Sequence, residues 1–258
     1  MQKKPINCWM RVRMRRYRWY SIMKFNRLTL DNCHTATGIV LIIDVLRAFS
    51  TAAYAFSRGA KQIHLVSGVQ EALDLKAQLP NAKAMGEVGG LPPEGFDFGN
   101  SPTRILEHDL TGITLVQRTG AGTQGAVRCV NAEVMLATSF VVAQGTMDYV
   151  HKLNPNEITF VITGGFGNDE DVACADFLEN QFTGAALSPM KGQETEAQEY
   201  IRRVYASRDA LEHMPDHPQF PKADLDYCSR INAFNFALPI MRKNGQLIMR
   251  PVKVRDVV

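Results

Sequence analysis

The 258-residue sequence contains no run of about 18 uninterrupted apolar residues, so nothing in it reads as a membrane span. Cysteine is sparse: Cys8, Cys33, Cys129, Cys174 and Cys228 are scattered, with no CxxC pair and no histidine spacing that suggests zinc. Their odd number speaks against a disulfide framework and fits reduced thiols in a cytoplasmic protein. Residues 1–22 lack acidic side chains altogether, while carrying Lys3, Lys4, Arg11, Arg13, Arg15, Arg16 and Arg18. They also lack the apolar stretch that a secretory signal needs after its charges. Beyond residue 22, 22 basic side chains face 26 acidic ones, a net of −4. The segment therefore reads as a basic, disordered leader, with translation beginning naturally at Met23. The competing reading is a nucleic-acid arm using Trp9, Tyr17, Trp19 and Tyr20 for stacking; it is the less favoured, and neither nucleic acid nor membrane is expected as a partner. A homodimer is compatible with everything in the sequence.

What is present is a 45% hydrophobic chain, enough to bury a sizeable core. From Gly38 onward, apolar strand-like runs alternate with helical patterns, the signature of βα units. The run at 38–45 (GIVLIIDV) predicts a strand buried on both faces. Helix is expected over 47–58 with Gly59 as its stop, strand over 62–66, and helix over 69–79 ended by Pro80. Further strands are expected at 83–85, 113–118, 133–138 and 157–163, with helices at 125–130, 140–153, 169–182 and 194–207. The polar, proline-punctuated stretch 209–223 suits a surface excursion or lid. Residues 246–252 suggest a last strand at a sheet edge, where Pro251 is tolerated. No linker divides the chain, so 23–258 is expected to form a single α/β domain. The expected architecture is three layers, α/β/α, around a largely parallel or mixed sheet.

In open α/β sheets, ligands collect beyond the carboxyl ends of strands. Four strands here end in polar or glycine-rich text: the segment 42–47 (IIDVLR), the loop 86–102, the turn 117–125 and the segment 163–175. Asp44 closes a hydrocarbon strand, where an unpaired charge is costly and a cation, Arg47 or a helix N-terminus must compensate it. A plain helix cap is the structural alternative. The second aspartate of the DxD phosphatase pattern is missing after Asp44, which excludes haloacid-dehalogenase chemistry. The long loop holds Glu87, Glu94 and Asp97 among five glycines and three prolines; Glu87 and Asp97 read as functional and Glu94 as solvated. Asn100, Ser101 and Pro102 end it and suit a helix start. Arg118, Thr119, Gly120, Gly122 and Thr123 form a small-residue turn suited to an anion, though not a Walker motif, since no Lys-Ser or Lys-Thr follows. Asp169, Glu170 and Asp171 open the next helix, as dipole-stabilising acids or as ligands of a hard cation.

These residues together resemble one family. Ile43-Asp44-Val45-Leu46-Arg47-Ala48, Gly86-Glu87 with Gly90, Gly95-Phe96-Asp97 and Gly99-Asn100-Ser101-Pro102 resemble the 2-phosphosulfolactate phosphatase (ComB-like) pattern. Glu170-Asp171 with Cys174-Ala175 is similar to its later acidic motif, and the likeness runs from about residue 24 to 187. The resemblance implies a Mg²⁺-dependent hydrolase that converts 2-phosphosulfolactate to sulfolactate and phosphate in the coenzyme M route. Carried onto this chain, it makes Asp44, Glu87 and Asp97 candidate catalytic residues and Asp44, Glu87 and Asp171 candidate metal ligands. Arg47, Asn100, Ser101, Arg118, Thr119, Gly120, Gly122 and Thr123 become candidate substrate contacts. The family's turn reads close to Thr-Thr-Asn-Gly-Thr, whereas this chain has Arg118-Thr119-Gly120-Ala121-Gly122-Thr123, a change expected to alter what is recognised. Whether Asp44 attacks phosphorus or positions a metal-bound water stays open. The alternatives are an isochorismatase-like cysteine hydrolase, which would need Cys129 or Cys174 at a helix N-terminus, and a non-catalytic anion-binding homologue.

Overall fold

The computed structural model describes residues 23–167, 169–184, 196–211 and 219–253. The expected leader at 1–22 lies outside the described residues. Strands are β1 (Lys24–Thr29), β2 (Gly38–Ile43), β3 (Gln62–Leu65), β4 (Ala82–Gly86), β5 (Thr114–Arg118), β6 (Ala132–Thr138), β7 (Glu157–Ile162), β8 (Phe236–Lys243), β9 (Gln246–Met249) and β10 (Val252–Lys253). Helices among the described residues are α1 (Ala48–Ser57), α2 (Val69–Gln78), α3 (Pro102–Ile105), α4 (Gly122–Arg128), α5 (Ala143–Leu153), α6 (Asp169–Thr183), α7 (Glu196–Ala206), α8 (Arg208–Leu211) and α9 (Ala223–Cys228).

The ten strands form one mixed sheet in the order β1-β7-β2-β6-β8-β9-β3-β5-β4, with β10 beside β8. Its two faces are both apolar because β2 is hydrophobic at every position. Val40 and Ile42 pack with Ala48 and Ala52 of α1, while Leu41 and Ile43 pack with Met147 of α5 and Leu178 of α6. Helices therefore cover both sides, and the α/β expectation holds. Each fully buried aliphatic side chain of β2 contributes on the order of 1.5–3 kcal/mol.

The sheet departs from the sequence reading in one respect that matters for the site. β1, β7, β2 and β6 are mutually parallel, and so are β3, β5 and β4. Between these blocks lie three antiparallel pairings, β6 with β8, β8 with β9, and β9 with β3. The blocks consequently run in opposite formal senses, and the carboxyl ends of β2 and β5 do not share one edge of a parallel sheet. The residues that follow β2, β4 and β5 nevertheless line one cavity, with Asp44, Glu87 and Gly120 among its walls. The expected edge strand at 246–252 is also corrected. β9 lies inside the sheet between β8 and β3, and Pro251 falls outside it, just before β10.

Gly86 ends β4 at φ +131°, and a Cβ there would overlap the Arg118 carbonyl oxygen. That carbonyl accepts the Glu87 N–H at 2.9 Å. Gly86→Ala is therefore expected to cost about 3 kcal/mol in denaturant unfolding, overpacking plus an unfavourable backbone region. A loss below about 0.5 kcal/mol would show that β4 and β5 separate without strain.

Candidate active site

Asp44 sits one residue past β2 and is buried, 5% exposed. One carboxylate oxygen, Oδ1, accepts the Ala48 N–H at 2.8 Å at the start of α1. Asp44 thus satisfies the first N–H of α1, although the N-cap position itself is Arg47, whose side chain makes no capping bond. The other oxygen, Oδ2, faces Gly122, where an added Cβ would lie only 2.7 Å away. Burial pushes the Asp44 carboxyl up to about 6; the charges of Glu87 and Asp209 push the same way, against the N–H groups of Ala48 and Gly122.

Glu87 follows β4 and spans two glycine turns. Its Oε2 accepts the Gly90 N–H at 2.8 Å, and its Oε1 accepts the Gly120 N–H. The first turn is a tight reversal, Val88 and Leu91 exchanging both backbone hydrogen bonds, with Gly89 and Gly90 at positive φ. Glycine adopts two such angles in succession at little cost. The two loops that the sequence separates by some 30 residues are thereby stapled by one carboxylate.

Asp44, Leu46, Arg47, Glu87, Gly89, Gly90, Asn100, Gly120, Ala121, Asp209 and Phe220 line one cavity of about 240 Å³. Asp44, Arg47, Glu87, Asn100 and Gly120 are brought together as expected from sequence. The Asn100 Oδ1 is buried and has no protein partner. Arg47 is also buried, and its Nη1 donates to Asp224 Oδ2 and to the Gln219 carbonyl, each at 2.8 Å. The Phe220 ring lies 4.8 Å from the guanidinium carbon.

Other expected contacts lie elsewhere. Asp97 does not line the cavity. Its carboxylate pairs with Lys76 at 2.7 Å and accepts the Ala84 N–H at 2.8 Å. Burial pushes it up, but the Lys76 hydrogen bond, the Ala84 N–H and the charges of Lys76 and Lys83 outweigh that and hold it below the ordinary carboxylate range. It ties the long loop to β4. Ser101 caps α3 and donates to Asp224 Oδ1 at 2.8 Å. Arg118 donates to the carbonyls of Ser67 at 3.1 Å and Glu87 at 2.7 Å, bracing the loops rather than lining the cavity. Thr119 and Thr123 satisfy each other, each backbone N–H donating to the other's hydroxyl. Gly122 lies behind Asp44. Asp171 accepts the Val45 N–H at 2.8 Å and the Gly164 N–H at 2.9 Å, joining the ends of β2 and β7; burial, then the charges of Asp44 and Glu170, push it well up. Its neighbour Glu170 is buried with Oε2 unpartnered, pushed up to about 7 by burial first and then by Asp209 and Asp44, against its own backbone N–H and the Ser207 hydroxyl.

Neither cysteine that the hydrolase alternative would use is a reactive thiol. Cys129 is buried at the C-terminal end of α4 and pushed up to about 12 by burial. Cys174 is fully buried inside α6 and pushed well up by burial and by Asp171. A nucleophilic cysteine needs the opposite shift.

Three residues of the cavity escape the sequence reading as site residues: Asp209, Phe220 and, behind Arg47, Asp224. The signal for the first two was the polar stretch 209–223, expected to form a lid. Residues 212–218 of it lie outside the described residues.

Electrostatically the cavity is acidic. Asp44, Glu87 and Asp209 line it, against Arg47; the charge of Arg47 is matched by Asp224, and Asp209 pairs with Arg208 at 3.5 Å. Among the described residues no lysine or arginine ion-pairs with Asp44, Glu87 or Glu170, and no three His, Cys, Asp or Glu side chains are gathered into a metal cage. Mg²⁺ does not need such a cage, since one or two carboxylates, waters and substrate oxygens complete its shell. Asp44 and Glu87, two carboxylates whose charge no basic side chain offsets, fit that donor set.

The family model described as 2-phosphosulpholactate phosphatase matches residues 27–244. The match therefore continues past residue 187, where the sequence resemblance fades, and takes in Asp209, Phe220, Asp224 and β8. A protein of Bacillus subtilis named "Probable 2-phosphosulfolactate phosphatase" is 32% identical over 211 residues, covering 81% of this chain and 89% of the relative. A protein of the same name from Carboxydothermus hydrogenoformans is 31% identical over 220 residues, with the same shares covered. Another, from Thermosynechococcus vestitus, is 31% identical over 207 residues, covering 74% and 84%.

Proposed function

The chain belongs to the 2-phosphosulpholactate phosphatase family, and from that premise we propose that its cavity hydrolyses a small anionic phosphate monoester, 2-phosphosulfolactate, to sulfolactate and phosphate with Mg²⁺, within the coenzyme M route. The observation that carries the metal is the charge of the cavity. A polyanionic ester is repelled by the carboxylates of Asp44 and Glu87, which no basic side chain among the described residues offsets, while the one lining arginine is already matched by Asp224. A divalent cation on Asp44 and Glu87 reverses that balance. When bound, it would neutralise phosphoryl oxygens and lower the pKa of a bound water.

The chain's own residues supply the rest. Asp44 is held by the Ala48 N–H, so its carboxylate enters the reaction already oriented. Glu87 fixes the Gly120 and Gly90 turns that wall the cavity. Asn100 offers an amide whose carbonyl is unpartnered, and Arg47 offers a guanidinium edge. Leu46 and Phe220 add apolar surface to the lining.

The test is phosphate release from 2-phosphosulfolactate. In Mg²⁺ the rate is expected to fall about 100-fold or more on adding EDTA, and to return with excess Mg²⁺. Thiol alkylation is expected to leave it unchanged. Activity that survives EDTA and dies on alkylation would replace this reading with the cysteine hydrolase. Ligand binding without release at any metal concentration would replace it with a non-catalytic homologue.

A further inference from the structure

We propose that Asp224 is a positioning residue that aims Arg47 at the substrate's non-transferred anionic arm, the carboxylate or sulfonate. The inference rests on the phosphatase reading of this cavity. Asp224 is fully buried in α9, 177 residues from Arg47 in sequence. Its Oδ1 accepts from Ser101 Oγ at 2.8 Å and from the Thr103 N–H at 3.0 Å, which fixes the carboxylate. Its Oδ2 takes Arg47 Nη1 at 2.8 Å.

The consequence is geometric. Both protons of Nη1 are spent, on Asp224 and on the Gln219 carbonyl. Phe220 covers one face of the guanidinium at 4.8 Å, and Nη2 makes only a long contact of 3.5 Å to the Gly90 carbonyl. Among the described residues, Nε–H and one Nη2 proton have no partner. These two form the side-on fork that receives two oxygens of one oxyanion. Asp44 Oδ2 faces Gly122, Arg47 is tied to Gly90 and to the 219–224 segment, and Glu87 bridges the two sides through the Gly120 and Gly90 N–H groups. The phosphoryl group belongs at the Asp44 end and the spectator arm at the Arg47 end.

An arm that does not react is bound alike in ground and transition states, so loosening its partner raises KM and spares kcat. Asp224→Asn is expected to raise KM for 2-phosphosulfolactate about 10-fold, with kcat within about threefold. Calorimetric binding of sulfolactate, which keeps both spectator groups, is expected to weaken by a similar factor. In an Arg47→Ala background, Asp224→Asn should add nothing further, since the group it positions is gone. An unchanged KM, a fall in kcat at constant KM, or multiplying effects in the double variant would overturn the proposal. Should Asp224→Asn not fold, Phe220→Leu decides: it removes the ring over the guanidinium and is expected to raise KM about threefold, while an unchanged KM overturns the idea. Wild-type protein that releases no phosphate from any ester sinks the phosphatase reading itself. Sulfolactate binding then judges Asp224 separately.

Discussion

Asp44→Asn is expected to lower phosphate release by roughly three orders of magnitude, because metal positioning and charge stabilisation dominate phosphoryl transfer. The fold should survive. Asparagine keeps an oxygen for the Ala48 N–H, the 2.8 Å bond that starts α1, and the two residues rank together as helix caps. Two further terms partly cancel. The new amide turns an N–H toward Gly122, where the carboxylate accepted one, and that is unfavourable. Removing a buried charge from beside Glu87 and Asp209 is favourable, since those charges, with burial, already push Asp44 up to about 6. The net stability change is expected to stay within about 1 kcal/mol. Phosphate release and thermal melting on one preparation measure both. An asparagine variant that turns over normally would reduce Asp44 to a cap and remove the chemistry from this cavity.

What was legible in the sequence follows from how each element earns its burial. β2, α1, β7 and α6 are strongly patterned, buried on both faces or periodic along one, and their expected bounds differ from the observed ones by two residues or fewer. β1 was not legible. Its sequence, KFNRLT, is half-buried at an edge of the sheet, where polar residues face water, so no alternation stands out. The β8–β9 hairpin carries a good signal in Asn244 and Gly245, both at positive φ between paired Lys243 and Gln246. Pro239 obscures it, because proline inside a paired strand argues against strand, yet here it sits opposite Leu136 within the sheet.

The cavity's lining was legible where residues adjoin strand ends, as with Asp44, Glu87 and Gly120, but not at Thr119 and Thr123, which bond each other. It was misread at Asp97, whose motif GFDFGNSP is as distinctive as any in the chain. A conspicuous motif marks a constrained loop, and the constraint on Asp97 is Lys76 and the Ala84 N–H rather than chemistry. Asp224 was invisible for the opposite reason. It lies in an unremarkable helix, ADLDYC, and only the fold carries it to Arg47. Three of the strand-end loops do meet in one cavity, but across a sheet whose two parallel blocks are separated by antiparallel pairings rather than along one parallel edge.

Gly122→Ala separates helix stability from site geometry, and it is expected to cost about 100-fold in activity. Gly122 begins α4 without a positive φ, so its backbone does not require glycine. By helix propensity alone, alanine would stabilise α4 by up to about 1 kcal/mol. Space is the reason for glycine. The new Cβ would lie 2.7 Å from Asp44 Oδ2 and 2.9 Å from the Ala48 Cβ. Neither neighbour can give way easily, because Ala48 is locked in α1 and Asp44 is tethered to its N–H. Overpacking of about 1–3 kcal/mol therefore offsets the propensity gain, leaving a modest net loss. The carboxylate must shift by a fraction of an ångström, and misplacement on that scale is enough to cost two orders of magnitude in rate. A Mg²⁺ titration of the rate, run beside a denaturant melt, distinguishes the two effects. A variant of nearly normal stability that needs far more Mg²⁺ and turns over slowly supports Asp44 as the group held in place by the room at Gly122. Full activity at unchanged Mg²⁺ demand would mean that Asp44 does its work in some other position.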